Sequence, residues 1–174
     1  GENNEKNLIN YSLYLTFFPQ IMAGPIGRSK ELLPQWSKGV SLSIPHIKKG
    51  FIMFFLGLFE KIVLADNLGV LTDHIFDMKN GYSSGVLFIG ILLYTLQIYF
   101  DFAGYSLIAI GGARMIGIEL MDNFKSPFFS RSIREFWRRW HISLSSWFRD
   151  YVYFPLGGSR VSVVRSDFNV LVIF

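Results

Sequence analysis

The chain has 174 residues, a length that fits one domain. Apolar residues make up 51%, aromatic residues 17% and charged residues only 17%, against about 25% charged in an ordinary soluble domain. That much apolar surface excludes a disordered chain, and the absence of cysteine excludes a disulfide framework or a thiolate metal site. The net charge of +4 admits anionic lipid or phosphorylated substrates as partners. It does not favour nucleic acid, because the basic residues lie between long apolar runs and the aromatic residues mostly within them. The sequence starts at Gly1 without an initiator Met or a signal peptide and stops at Phe174 inside an apolar run. It therefore reads as an internal piece, residues 1–174, of a longer membrane domain.

Taken in chain order, Gly1 to Asn7 reads as a polar loop and Leu8 to Phe18 as a short apolar helix. Pro19, Gly24, Pro25 and Gly27 then forbid a regular helix, and irregular backbone at membrane depth must be buried in protein or line a wet cavity. Arg28 to Trp36 reads as a short interfacial helix. Phe51 to Ala65 is apolar apart from Glu60 and Lys61, short against the roughly 20 residues of a span. Asp73 to Ser84 reads as a loop. Gly85 to Ile110 is the clearest span and carries one charge, Asp101; Gly111 and Gly112 are expected to end it. Asp122 to Ser132 is a connection containing Pro127, Ile133 to Phe148 a helix rich in Trp and Arg, Pro155 to Gly158 a turn, and Val161 to Phe174 a further apolar helix. The expected fold is all-α: a polytopic membrane bundle with tilted or broken helices.

Four groups of residues carry chemistry. Helical spacing puts Trp137, Arg138, His141, Leu144 and Ser145 on one face. Beside Trp137 and Trp140, low dielectric disfavours the charged form of His141 and leaves a neutral imidazole able to accept a proton, as a general base acting on a hydroxyl requires. The alternative is a histidine that only hydrogen-bonds within a bundle. On the long span, Tyr94, Gln97, Asp101 and Tyr105 form a polar stripe that must face protein or water. It either lines a substrate path or ties helices together. Arg131, Arg134, Arg138, Arg139, Arg149 and Arg160 mark a cytoplasmic face or meet the phosphates of a coenzyme A or carrier donor, although Arg149 and Asp150 can also pair with each other. Pro19 to Arg28 either shapes a cavity or ends a helix. A phosphate loop, a serine-hydrolase elbow and a zinc site are not present as motifs.

The segments Phe136-Trp137-Arg138-Arg139-Trp140-His141-Ile142-Ser143-Leu144-Ser145, Trp147-Phe148-Arg149-Asp150-Tyr151-Val152-Tyr153 and Pro155-Leu156-Gly157-Gly158-Ser159-Arg160 resemble the signature of the membrane-bound O-acyltransferase family. So do Phe18-Pro19-Gln20 with Ala23-Gly24-Pro25-Ile26 and Arg28, and Tyr99-Phe100-Asp101-Phe102-Ala103-Gly104-Tyr105-Ser106, in the family's order. The Pro-Leu-Gly-Gly-Ser-Arg ending is similar to the bacterial alginate O-acetyltransferase branch. The resemblance implies a multi-helix enzyme of the inner membrane that transfers an acyl group to a hydroxyl, with His141 as the family's catalytic histidine. It implies no tightly bound cofactor: the donor is acetyl-CoA or another acyl thioester, and the acceptor an exported polysaccharide or a periplasmic relay protein. Asp101, Gln97, Tyr105, Trp137, Trp140, Arg138, Arg139 and Arg149 are the expected substrate-binding residues. The family's second histidine stands in a Leu-Trp-His-Gly setting that neither His46 nor His74 has, so this stretch by itself is expected to be inactive. Two other readings stay open. Broken helices with buried polar groups also fit a transporter, which has no evident use for the Trp-Arg-Arg-Trp-His segment, and a non-catalytic scaffold for polysaccharide export would keep the fold alone.

Overall fold

A computed structural model describes residues 7–21, 23–77 and 81–173; of the loop expected over Gly1 to Asn7, residues 1–6 lie outside them. The described residues are all-helical, without strands. They fall into two compact units, Gly1–Leu120 and Met121–Phe174.

In the first unit, helix α1 (Leu8–Thr16) starts where the Asn7 side chain accepts the Ile9 N–H at 3.0 Å, satisfying a donor that every helix start leaves open. A single turn, α2 (Phe18–Ile21), carries Pro19 near its start, where the missing N–H does no harm. From Ala23 the backbone is irregular until α3 (Ser29–Ser37), as Pro25 and its neighbouring glycines require. This bend is stitched down. The Tyr14 hydroxyl donates to the Gly27 carbonyl at 3.0 Å. The Gln20 amide donates to the Tyr14 carbonyl at 2.6 Å and accepts the Gly27 N–H at 3.2 Å. Side chains thereby satisfy backbone groups that no helix covers.

The apolar run around Phe51 is part of a longer rod. Helix α4 (Ile44–Leu58) is capped by Ser43, with Pro45 in its first turn, and passes through a π-helical segment (Phe59–Ala65) into α5 (Asp66–Phe76). The expected loop from Asp73 therefore begins only at Asp77. Asp73 to Phe76 complete the last turn of α5, whose end is closed by the Asp77 N–H on the Asp73 carbonyl. The rod packs against α6 (Ser84–Met115), the one helix among the described residues long and apolar enough to cross a membrane. Its 32 residues reach roughly 48 Å at 1.5 Å each, beyond the ~30 Å hydrocarbon core.

Two glycine pairs set how closely α4 and α6 approach. A Cβ on Gly57 would lie 2.5 Å from the Gly104 carbonyl oxygen, and one on Gly111 would lie 2.6 Å from the Gly50 carbonyl oxygen and 2.5 Å from the Phe54 nitrogen. Backbones in such contact are the small-residue packing on which membrane helices rely where lipid supplies no hydrophobic drive. This also corrects the expected end of α6. Gly111 is a packing residue, and the helix runs on to Met115. It stops at Gly117, whose φ of +81° suits glycine. There the Gly117 N–H meets the Arg114 carbonyl and the Ile118 N–H the Ala113 carbonyl, the double bond of a Schellman end. The core of this unit gathers beneath that end: Leu32, Ile110 and Ile118 are almost fully buried, and Phe17 packs edge-on against Trp36 at 5.5 Å. Gln35 fastens the chain after the helix by donating to the Glu119 carbonyl at 3.0 Å and accepting the Glu119 N–H at 2.8 Å.

In the second unit, a 3-10 turn (Pro127–Phe129) leads to α7 (Ile133–Arg139), α8 (Ile142–Phe148), a π turn (Arg149–Tyr153) and α9 (Val163–Ile173). The helix expected over Ile133 to Phe148 is thus two helices, broken at Trp140 and His141. Trp140 is extended (φ −104°, ψ 128°) and His141 is left-handed (φ 42°, ψ 56°). The expected turn over Pro155 to Gly158 is present, with positive φ at Gly157 and Gly158.

Candidate active site

The break at His141 has a visible cause in local bonding. Helix α7 starts at a cap that the sequence carries openly: Ser132 accepts the Glu135 N–H at 3.2 Å, and the Glu135 carboxylate reaches back to the Arg131 N–H at 2.8 Å, close to a capping box. That N–H, with the Arg139 charge, holds the Glu135 carboxyl below its ordinary range. At the other end a helix break would strand polar groups, and the chain ahead of α7 satisfies them. The Lys125 N–H donates to the Arg139 carbonyl at 3.0 Å, and the Ile142 N–H donates to the Asn123 carbonyl at 2.9 Å. The Asn123 side-chain oxygen accepts from both the Ser143 hydroxyl (2.6 Å) and the Ser143 N–H (3.3 Å). Asn123 is 1% and Ser143 0% exposed, so these bonds are shielded from water and costly to leave unmade.

Over the break lies a half-open cleft of about 610 Å³ lined by Trp137, Arg138, Trp140, His141, Ser145 and Arg149 among others. Its size falls in the range of small-molecule sites. Trp140 is fixed by aromatic neighbours, stacked on Phe136 (5.5 Å, 19°) and edge-on to Phe124 (5.1 Å). Burial pushes the His141 pKa below its ordinary value, leaving a neutral ring at neutral pH. A non-glycine residue at φ +42° is uncommon and costs roughly 1–2 kcal/mol. Such residues concentrate at functional sites, where the surroundings over-determine them.

The residues expected from helical spacing therefore do line one cleft, although a break rather than a continuous face brings them there. Arg139 is not among the lining residues; its guanidinium bonds the Glu135 carboxylate at 2.6 Å. Arg149 lines the cleft and also pairs with Asp150 at 2.9 Å. The polar stripe belongs to α6 in the first unit. Gln97 accepts the Thr72 hydroxyl of α5 at 2.6 Å. Asp101 pairs with Lys61 in the π segment, and Lys61 also reaches Asp66 at 2.9 Å. Tyr94 packs edge-on to Phe76, and Tyr105 is half-buried. These contacts tie the rod to α6. The sequence reading missed Lys61 as the partner of Asp101 and Asn123 as the clamp on the break. Among the described residues no group of three His, Cys, Asp or Glu is placed to hold a metal ion.

With this geometry in place, the comparisons define the class. Residues 3–174 match the MBOAT, membrane-bound O-acyltransferase family, and the chain belongs to that family. It is 45% identical over 165 residues to a protein named probable alginate O-acetylase from Pseudomonas putida, covering 95% of this chain and 34% of that protein. It is 39% identical over 170 residues to a peptidoglycan O-acetyltransferase of Helicobacter pylori, covering 97% and 32%. It is 34% identical over 148 residues to a teichoic acid D-alanyltransferase of Bacillus subtilis, covering 80% and 36%. The chain spans about a third of the length of the curated relatives it matches.

Proposed function

We propose that this chain forms part of a polytopic helical bundle in the inner membrane and takes part in O-acyl transfer to an exported polysaccharide, or to a relay protein that passes the group on. The donor is acetyl carried as a thioester, on coenzyme A or a carrier. The observation that supports this best is His141 itself: a neutral imidazole, in a conformation that needs outside support, lining a cleft in a chain of an acyltransferase family.

In this reading the acceptor hydroxyl enters the cleft and His141 takes its proton as the oxygen attacks the thioester carbonyl. Collapse breaks the C–S bond, the proton passes to the departing sulfur, and an ester and a thiol leave. Trp137 and Trp140 keep out water that would hydrolyse the donor. Arg138 and Arg149 face the donor's phosphates. The arginines of this unit, Arg131 to Arg160, set it at the cytoplasmic face, from which the donor comes. Gln97 and Asp101, with Tyr105 on the same stripe, keep α6 seated against the rod.

A positioned general base contributes roughly 10²–10⁴-fold. In membranes carrying the full-length protein, His141→Ala is expected to lower transfer of labelled acetyl to polysaccharide by that factor while the amount of inserted protein stays the same. Undiminished transfer by a well-inserted His141→Ala variant contradicts the assignment.

A further inference from the structure

We infer that Asn123 is a positioning residue for His141: its main-chain and side-chain carbonyls, clamped on Ile142 and Ser143, hold the left-handed turn that presents the imidazole to the cleft. The catalytic part of this inference rests on His141 being the base; the structural part does not.

Three observations lead to it. The conformation of His141 is one that a residue with a Cβ avoids, so something must enforce it. Of the residues flanking the turn, Trp140 is held on the α7 side by Phe136 and Phe124. On the α8 side, the first two residues after His141 are both tied to Asn123, through the Ile142 N–H at 2.9 Å and through the Ser143 N–H and hydroxyl at 3.3 and 2.6 Å. Those amides are the orphan donors of the α8 start. A helix start ordinarily has them capped by the residue at its own N-cap. Here the N-cap is His141, whose side chain makes no capping bond. Asn123 therefore caps from 18 residues upstream in the chain and leaves the imidazole on the cleft. Its burial at 1% exposed keeps water from substituting for it.

The test has two readouts. The first is chemical modification of His141 by diethylpyrocarbonate, followed residue by residue by mass spectrometry across pH, with the exposed His46 and His74 as internal references. Asn123→Ala is expected to raise the His141 modification rate severalfold relative to the references and move its pH midpoint up toward the ordinary imidazole value. An unchanged rate and midpoint overturn the inference, whatever His141 does in catalysis. The second readout is transfer. Asn123→Ala is expected to lower kcat by roughly ten- to a hundredfold, the cost of a small misplacement of a reacting group, with the donor KM nearly unchanged. Asn123→Asp, which keeps the acceptor oxygen, is expected to recover most of that loss. In a His141→Ala background, Asn123→Ala should cost nothing more, because groups that act as one unit are not additive. An equal further loss there overturns the inference, whereas full transfer by His141→Ala alone overturns the base assignment instead. Ser143→Ala removes only the hydroxyl donor and covers the case in which Asn123→Ala fails to insert. It should shift both readouts the same way and by less, and no shift in a well-inserted Ser143→Ala variant overturns the inference.

Discussion

At the scale of residues, the behaviour of His141 follows from the sign of its shift. Burial lowers its pKa, so the neutral form persists below the ordinary imidazole value of ~6.5. Transfer is therefore expected to hold as pH drops through 6.5 and to fall only below the lowered value, and a pH–rate profile of the membrane protein checks this. Stability runs in the same direction. A depressed folded pKa contributes stability that is complete above the unfolded value and is lost as pH falls through the folded one. Trp137, Arg138, His141, Leu144 and Ser145 were legible as neighbours because helical spacing groups them, whereas Arg149 was read apart from them, among the arginines. The conformation that makes His141 unusual was not legible, since three- and four-residue spacing runs through the break unmarked. Asn123 was hidden for a different reason: its partner Ser143 lies 20 residues away, and no local pattern connects an asparagine in a loop to a serine in a helix. Ser132 and Glu135 were within reach, being spaced as a capping pair.

At the scale of elements, adjacent glycines of α6 make opposite predictions. A Cβ at Gly111 meets backbone of α4 at 2.5 Å, whereas one at Gly112 meets nothing within 4 Å. Gly111→Ala is expected to destabilise by roughly 1–3 kcal/mol, as overpacking does. Gly112→Ala is expected to be neutral or to stabilise by about 0.4–1 kcal/mol, through a less flexible unfolded chain. Thermal unfolding in detergent compares the two. The long apolar helices were readable from composition, but the extent of each was not. Gly111 and Gly112 look like a terminus in sequence, and only the approach of Gly50 shows that the first of them is a contact. The π segment was equally silent. Its seven residues, Phe59–Ala65, read as ordinary apolar helix, yet π segments are frequent at sites that need a side chain redirected. Here the segment carries Lys61, which meets Asp101.

At the scale of the whole molecule, the apolar flank of α6 is turned outward: within its most apolar stretch only 11% is buried, where a core helix of a water-soluble protein would be largely covered. These 174 residues hold no cysteine, so a thiol introduced among them is the single one in this stretch and reports on its surroundings. Leu92→Cys is expected to resist a water-soluble maleimide in intact membranes. Ser159→Cys, in the arginine-bearing unit, is expected to react only when the cytoplasmic side is opened to the reagent. Labelling of Ser159→Cys in sealed cells would reverse the proposed orientation. All-helical character and membrane residence were both apparent from the sequence, because they depend on summed hydropathy. The division at Leu120 was not, although the arginines gather after it, because a shift in charge along a chain reads equally well as one face of a single domain. One consequence of the paired glycines reaches beyond packing. Gly50 faces Gly111 and Gly57 faces Gly104, seven residues apart on each helix, so the alignment of the rod and α6 is decided in the half of the pair that lies away from Phe76 and Ser84. The connector between those two residues is then released from any duty as a ruler: lengthening it adds only about 0.6 kcal/mol per doubling, and the same teeth would still mesh.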